Sequence, residues 1–402
     1  MRDPVVCADG HCYDRGNISR WLHTNRTSPE TGLPLEHTTL KPNHALSERP
    51  LRSLIIAPLV ELTRSGANGV KQNAAGALGN LAASNDDNKV AIVSEGGIAP
   101  LVELTRSGTA GAKEKAAGAL STLAVNEVNQ MAIAEAGGIA PLIELTHSGT
   151  AGAQENAAGA LWILASSAKN KVAIAVAGGI SPLVELTRSG TEGAKEWAAV
   201  ALWNLAVNND DNQVAIAEAG GIAPLIELTR SGTAGAKEKA AWALGALAVN
   251  DDNAVAIVSE GGIAPLVELT RSGTAAAKGN AAGALSNLAM SAQVAIMAAD
   301  GIAPLVELTC SGTDGAKQNA AAALWILSLS AGNAVAIVAA GGIAPLVELT
   351  RSGTAAAKDN AAGALSNLAS NADNADTTAT AGGDEACVAF YNHCLRAASP
   401  ES

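Results

Sequence analysis

Cys7, His11 and Cys12 stand in one short stretch near the start of the chain, and thiolate and imidazole at that spacing could hold a transition metal. A zinc site usually takes four ligands, often from two such pairs. No second pair follows, and His23, His37 and His44 lack partners at ligand spacing. These side chains therefore read as packed or hydrogen-bonded groups, and neither a metal nor a cofactor is expected. No acid, base or nucleophile constellation stands out, and the glycine-rich pieces do not follow strands as a phosphate loop would, so no catalytic residue is expected. Binding chemistry remains. Only 2% of the residues are aromatic, yet there are six Trp, and Trp162, Trp197, Trp203, Trp242 and Trp325 fall at related helical positions. Exposed aromatic clusters are what protein-binding hot spots are made of.

The elements that position these tryptophans are repeated. An Ile-Ala-Pro core, once Ile-Ser-Pro, ends at Pro58, Pro100, Pro141, Pro182, Pro224, Pro265, Pro304 and Pro345, in steps of 42, 41, 41, 42, 41, 39 and 41 residues. A period of that size marks stacked helical units. Each unit reads as three helices. In the second, Asp87 and Asn88 open a short helix, and Gly96-Gly97 ends it. Ile98 to Arg106 follows, with Pro100 in the first turn, and Ser107-Gly108-Thr109 closes it. The third helix spans roughly Ala112 to Val125, with an apolar stripe through Ala116, Ala117, Leu120, Leu123 and Ala124. His147 and Cys310 replace the arginine that ends the second helix and read as drift. The recurring Glu, Lys and Arg read as solvated faces.

The third helix has a face opposite its apolar stripe. Counting from Asn73 and its counterparts, positions i, i+3 and i+7 share that face, with i+6 at its edge. Trp197 falls at i, Val200 and Trp242 at i+3, Asn204 at i+7, and Trp162, Trp203 and Trp325 at i+6. A partner-binding groove centred on repeats three to five is expected, made by Trp162, Trp197, Val200, Trp203, Asn204 and Trp242. The competing reading places the i+6 tryptophans in the seam between repeats.

Composition narrows the partner. The net charge is −12, which argues against nucleic acid and against an anionic membrane surface. No uninterrupted apolar run reaches the length of a membrane span, so no membrane insertion is expected. The five cysteines are odd in number and irregular in spacing, which points to a reducing compartment, the cytoplasm first and the nucleus second.

The glycines between the first two helices, Ile-x-Pro-Leu-Val-Glu-Leu and Asn-Ala-Ala-x-Ala-Leu-x-Asn-Leu-Ala together resemble the armadillo repeat. That resemblance implies an all-α, right-handed superhelix of eight repeats of about 41 residues over 56–370, whose third helices line a groove for protein partners. Nuclear-import adaptors of this kind carry Trp four residues before Asn on the third helix. Here Ala246 follows Trp242 at that spacing, so import signals are not the expected ligand.

Residues 1–55 differ in character. Asp9-Gly10 is a turn between two short β-prone runs, Asn17 is a candidate cap for a helix carrying Ile18, Trp21 and Leu22, and Ser28 to Leu35 is a breaker-rich loop. Trp21 reads first as core. The order Asp3-Pro4-Val5-Val6, Asp9-Gly10-His11-Cys12-Tyr13-Asp14-Arg15, Ser28-Pro29-x-Thr31-Gly32-x-Pro34-Leu35 and Leu40-x-Pro42-Asn43-His44-Ala45-Leu46 resembles the U-box, the zinc-free α+β relative of the RING domain in ubiquitin ligases. The resemblance implies a ubiquitin-conjugating enzyme (E2) as partner, with Pro29 in a contact loop and Trp21 beside the contact groove. It also implies a ubiquitin transferase without a covalent intermediate. A Cys-Pro-Ile-like first loop is not seen before Asp3, so the U-box reads as N-terminally truncated and its activity as impaired, and Pro50 is expected to break the helix that usually follows. The alternative is a non-enzymatic armadillo scaffold. Residues 371–402 read as an acidic, flexible tail, with a possible capping helix from Asp384 to Leu395.

Overall fold

The computed structural model describes residues 4–42, 49–371 and 374. Asp3, the Asn43-His44-Ala45-Leu46 segment and the segment from Asp384 to Leu395 lie outside the described residues. The chain divides into two compact units, Met1–Ala136 and Gly137–Ser402.

The first unit opens with the hairpin that Asp9-Gly10 predicts. Strand β1 (Pro4–Val6) pairs antiparallel with β2 (Cys12–Asp14), Val5 opposite Tyr13, and Gly10 takes a φ of 77° in the turn. Lys41–Pro42 forms strand β3 on the other side of β1. Helix α1 (Arg15–Leu22) is capped by Asp14, not Asn17: the Asp14 carboxylate accepts the Gly16 N–H at 3.2 Å, so strand passes straight into helix. Asn17 accepts from the Arg20 guanidinium at 2.8 Å instead. Cys7 packs with Val5 and Ile18 in the core of this module, with Tyr13, Leu22, Leu35 and Leu40 around it. Pro50 does not break the following helix. It lies in the first turn of Arg49–Ser65, where no N–H is needed from it.

The repeats have the three-helix plan. In the second they are Asp86–Ser94, Ile98–Ser107 and Ala110–Ala124. The first helix ends in a Schellman motif: the Gly97 N–H donates to the Ile92 carbonyl at 2.8 Å and the Gly96 N–H to Val93 at 2.9 Å, with Gly96 at φ 74°. The third helix starts earlier than its stripe suggests, because Thr109 is its cap and accepts the Ala112 N–H at 3.3 Å. Asn88, read as a cap, is buried and donates to the Leu81 carbonyl at 2.8 Å, while Asn85 is the cap. Alanine, leucine, isoleucine and valine fill the interior; Leu225, Leu244, Ala236 and Ala240 are fully buried examples. Each such leucine contributes about 1.5–3 kcal/mol by leaving water.

Eight second helices and eight third helices are present among the described residues. The short 39-residue step has a structural counterpart. The turn between the sixth and seventh repeats is missing, and the third helix of one runs into the first helix of the next as Ala275–Ala298, kinked at Ala292 (φ −124°, ψ 18°). By length and composition this one helix could cross a membrane, which the sequence did not suggest; half of it is buried inside the protein, with Leu285, Leu288 and Ile296 at 0% exposure.

Two side chains tie successive elements together. The arginine ending the second helix reaches the next repeat: Arg188 donates to the Gly220 carbonyl at 2.8 Å, Arg230 to Gly261 at 3.0 Å and Arg271 to Asp300 at 2.8 Å. Cys310 and His147 are therefore more than drift, since each removes such a bond. Cys310→Arg should restore one to the Gly341 carbonyl and raise stability by about 0.5–1.5 kcal/mol. An unchanged thermal midpoint would show that the bond contributes nothing.

The second tie is the buried asparagine of the first helix. Asn212 donates to the Leu205 carbonyl at 2.9 Å. Asn170, at 2% exposure, has no partner for its amide nitrogen. Asn212→Ala should cost about 1–3 kcal/mol, whereas Asn170→Ala should be close to neutral. Denaturant titration of both variants decides it; equal losses would contradict the asymmetry.

Candidate functional site

In the second unit the tryptophans come together across repeat boundaries. Trp162, on the third helix Ala151–Leu164, stacks on Trp197 of the next third helix, Glu192–Ala206, with ring centroids 4.9 Å apart and planes at 27°. Trp203 stacks on Trp242 of Ala234–Leu247 at 3.5 Å and 22°. All four are half-buried. Each ring thus serves both readings: one side fills the seam and the rest faces outward. Trp325 is exposed and lies over Gly363, where a Cβ would sit 2.7 Å from its indole nitrogen.

Val200 departs from the expected groove face: at 1% exposure it offers a partner no surface. Asn204 lies on the face, but its amide nitrogen donates to the Trp162 carbonyl at 2.8 Å, so it also links two repeats. Lys239 lies 5.7 Å from the Trp242 ring centre and 2.7 Å from the Glu238 carboxylate, which neutralises it. Glu155 and Glu196 are not plain solvated charges. They lean over Gly193 and Gly235 in the first turn of the following third helix, where the helix dipole favours a carboxylate.

Beside the Trp203–Trp242 stack lies a cleft of about 390 Å³. It exists because side chains are lacking: Gly245 and Ala246 in the fifth repeat and Gly283 in the sixth occupy positions that carry Trp or Asn elsewhere. Asn280, Asn287, Asn319 and Asp210 line it, and none of these was singled out as a site residue from the sequence. The available signal was the run of glycines at i+3 and i+6 among bulky neighbours.

In the N-terminal module, Trp21 is 40% exposed, against the expectation of core. Its indole N–H donates to the Thr27 carbonyl at 2.8 Å, fastening α1 to the loop that carries the exposed Pro29. Ser28, 1% exposed, shapes that loop by accepting the Glu30 and Thr31 N–H groups at 3.1 and 3.0 Å. Tyr13 joins the loop to the hairpin, donating to Asp9 at 2.7 Å and lying 3.4 Å from the Ser28 hydroxyl. Burial works against the Asp9 carboxylate, but hydrogen bonds from Ser28, the His11 N–H and Tyr13 hold its pKa below the usual value. Burial, together with Asp9, pushes the Tyr13 phenol up. Among the described residues no three His, Cys, Asp or Glu side chains are grouped to hold a metal ion.

The armadillo/beta-catenin-like repeat family matches residues 51–83, 85–125, 126–166, 167–207, 209–249, 250–290 and 330–370, which is most of the chain. The chain is an armadillo-repeat protein. The stretch left unmatched, 291–329, is the repeat whose first helix is fused to its predecessor. The U-box domain family matches residues 1–50, so the armadillo array follows a U-box. Over 47 residues the chain is 55% identical to WD repeat, SAM and U-box domain-containing protein 1 of Danio rerio, covering 11% of this chain and 10% of that one. It is 30% identical over 122 residues to U-box domain-containing protein 11 of Arabidopsis thaliana, covering 24% and 20%. The chain thus spans a tenth to a fifth of the length of these curated relatives. The crystal structure of an engineered protein superposes with a TM-score of 0.77 at 33% identity, over 85% of this chain and 88% of its own.

Proposed function

We propose that this armadillo protein is a U-box ubiquitin-protein ligase. Its U-box recruits a ubiquitin-conjugating enzyme, its armadillo groove holds the substrate, and it works in the cytoplasm and nucleus. The observation that carries the reading is the exposed pair Trp21 and Pro29, with the indole bonded to the loop that bears the proline. Such a surface can seat an enzyme without chemistry of its own. The rate gain would come from holding the ubiquitin thioester beside a substrate lysine, which makes an encounter effectively intramolecular. No acid or base need be supplied by this chain.

The test is chain formation by purified protein with ubiquitin, activating enzyme and a panel of conjugating enzymes. Ubiquitin chains are expected with at least one of them, and Pro29→Ala should slow their formation by about tenfold or more, the effect of losing an interface hot spot. Absence of chains with every conjugating enzyme would leave the protein a binding scaffold.

A further inference from the structure

The eighth repeat ends on a face that the repeat before it keeps covered. In the seventh repeat the second helix, Ile302–Ser311, packs against the first and second helices that follow it, and Ile302, Pro304 and Thr309 are buried. Their counterparts in Ile343–Ser352, namely Ile343, Pro345 and Thr350, are half-buried. The sequence beyond keeps the register of a repeat. Asn371-Ala372-Asp373-Asn374 stands where Asn250-Asp251-Asp252-Asn253 stands in the sixth repeat, and Gly382-Gly383 follows at the same distance as Gly261-Gly262. Ala386 falls 41 residues after Pro345, the step of the array itself. Asn374, the last described residue, behaves as the buried asparagine of a first helix. It is 0% exposed, its backbone N–H donates to the Asn371 carbonyl at 3.1 Å, and its side-chain amide donates to the Leu368 carbonyl at 3.1 Å. Asn129 makes the same two bonds, to the Asn126 and Leu123 carbonyls, at 3.0 Å each.

We propose that residues 375–395 dock on this end face as the first two segments of a ninth repeat, so that the face is occupied by a segment of the chain itself. By register, Cys387, Val388, Phe390 and Tyr391 fall where Leu266, Val267, Leu269 and Thr270 are at most 4% exposed. Phe390 is the single phenylalanine of the chain, so the largest apolar group of the segment meets a position that buries it. Asp384 replaces an isoleucine at the first position after the glycine pair, where a helix start favours a carboxylate. Asp376 falls where Val255, Val294 and Val335 are exposed, so its charge stays in water. Thr378 is the one poor match: it stands where Ile257, Ile296 and Ile337 are 0% exposed, and it gains less by burial than they do. The register favours this segment over a second copy of the chain as occupant. It is already joined to the face through Asn374, which gives it a high effective concentration there.

Cys387 reports on docking, because its register position is a buried one, whereas Cys310 is exposed and serves as the open control. The full chain is labelled with iodoacetamide, and each thiol's rate, read by peptide mass spectrometry, is divided into its rate in urea. Cys387 should be protected by about tenfold or more and Cys310 hardly at all. Val388→Asp and Phe390→Asp place a charge where docking would bury it, so each should cut the protection of Cys387 by about tenfold. Ile343→Asp, on the face itself, should do the same while circular dichroism shows the array still folded. Thr378→Ile should raise the protection several-fold, a gain that unfolding cannot imitate. Cys387 labelled in the native chain as fast as in urea would overturn the proposal. So would protection that survives Phe390→Asp or Ile343→Asp, or a Thr378→Ile variant with no added protection. Protection that disappears on dilution would assign the face to a second copy and overturn it as well.

Discussion

Trp203→Ala should weaken capture of a groove-bound partner by about thirtyfold and lower the unfolding free energy by about 2 kcal/mol. The first figure is the loss of a hot-spot residue worth about 2 kcal/mol or more. The second is below the about 3–5 kcal/mol of a fully buried Trp→Ala change, because Trp203 is only half-buried. Trp242→Ala should behave alike, since the two rings form one stack at 3.5 Å. A double-mutant cycle should give a coupling of about 1 kcal/mol in stability. The affinity should be titrated with a partner crosslinked to this face, and stability measured by denaturant. Trp325→Ala, on an indole outside the cleft, should change affinity little. If Trp203→Ala lowers stability while affinity for the partner is unchanged, the stacks are seam packing and the binding face lies elsewhere.

Why the fold was legible and the site only partly so is clear from particular residues. The period, the three-helix plan and the hairpin at Asp9-Gly10 depend on short-range signals: proline in a first turn, paired glycines at a C-terminus, an apolar stripe. The sequence shows those directly. Trp162 facing Trp197, and Trp203 facing Trp242, depend on how one third helix registers against the next, roughly forty residues away, and counting within one helix cannot supply it. The same gap hid the roles of Arg188 and Cys310, because the acceptor of the arginine belongs to the following repeat. Val200 was misplaced because i+3 is a surface position only where the neighbouring repeat leaves it uncovered. The cleft was hard to see for a further reason: it is formed by what Gly245 and Gly283 lack. Trp21 was read as core on size alone, yet its indole N–H needs an acceptor, and Thr27 in the loop supplies one at the surface.

The paired glycines at the end of most first helices make the second large prediction, because the two positions are glycine for different reasons. Gly220 has φ of 72°, so its constraint is conformational. Gly221 has ordinary backbone angles, φ −75° and ψ −19°, so its constraint is space. A Cβ there would lie 2.8 Å from the Ile216 methyl, 2.9 Å from the Ile216 carbonyl oxygen and 3.1 Å from the Val184 methyl. The carbonyl is backbone within the capping motif and cannot move without breaking it. Gly221→Ala should therefore cost about 2–3 kcal/mol, as an overpacked core does. The seventh repeat runs the converse experiment at the first position, where Asp300 stands in place of glycine at φ 54°. Aspartate tolerates that conformation better than most residues but still at a cost, so Asp300→Gly should raise stability by about 0.5–1 kcal/mol, the relief exceeding the added freedom of the unfolded chain. Denaturant midpoints of both variants check the pair. A stabilising Gly221→Ala would mean that the close approach to Ile216 is not a constraint, and a destabilising Asp300→Gly would mean that the aspartate contributes a contact outweighing its strain.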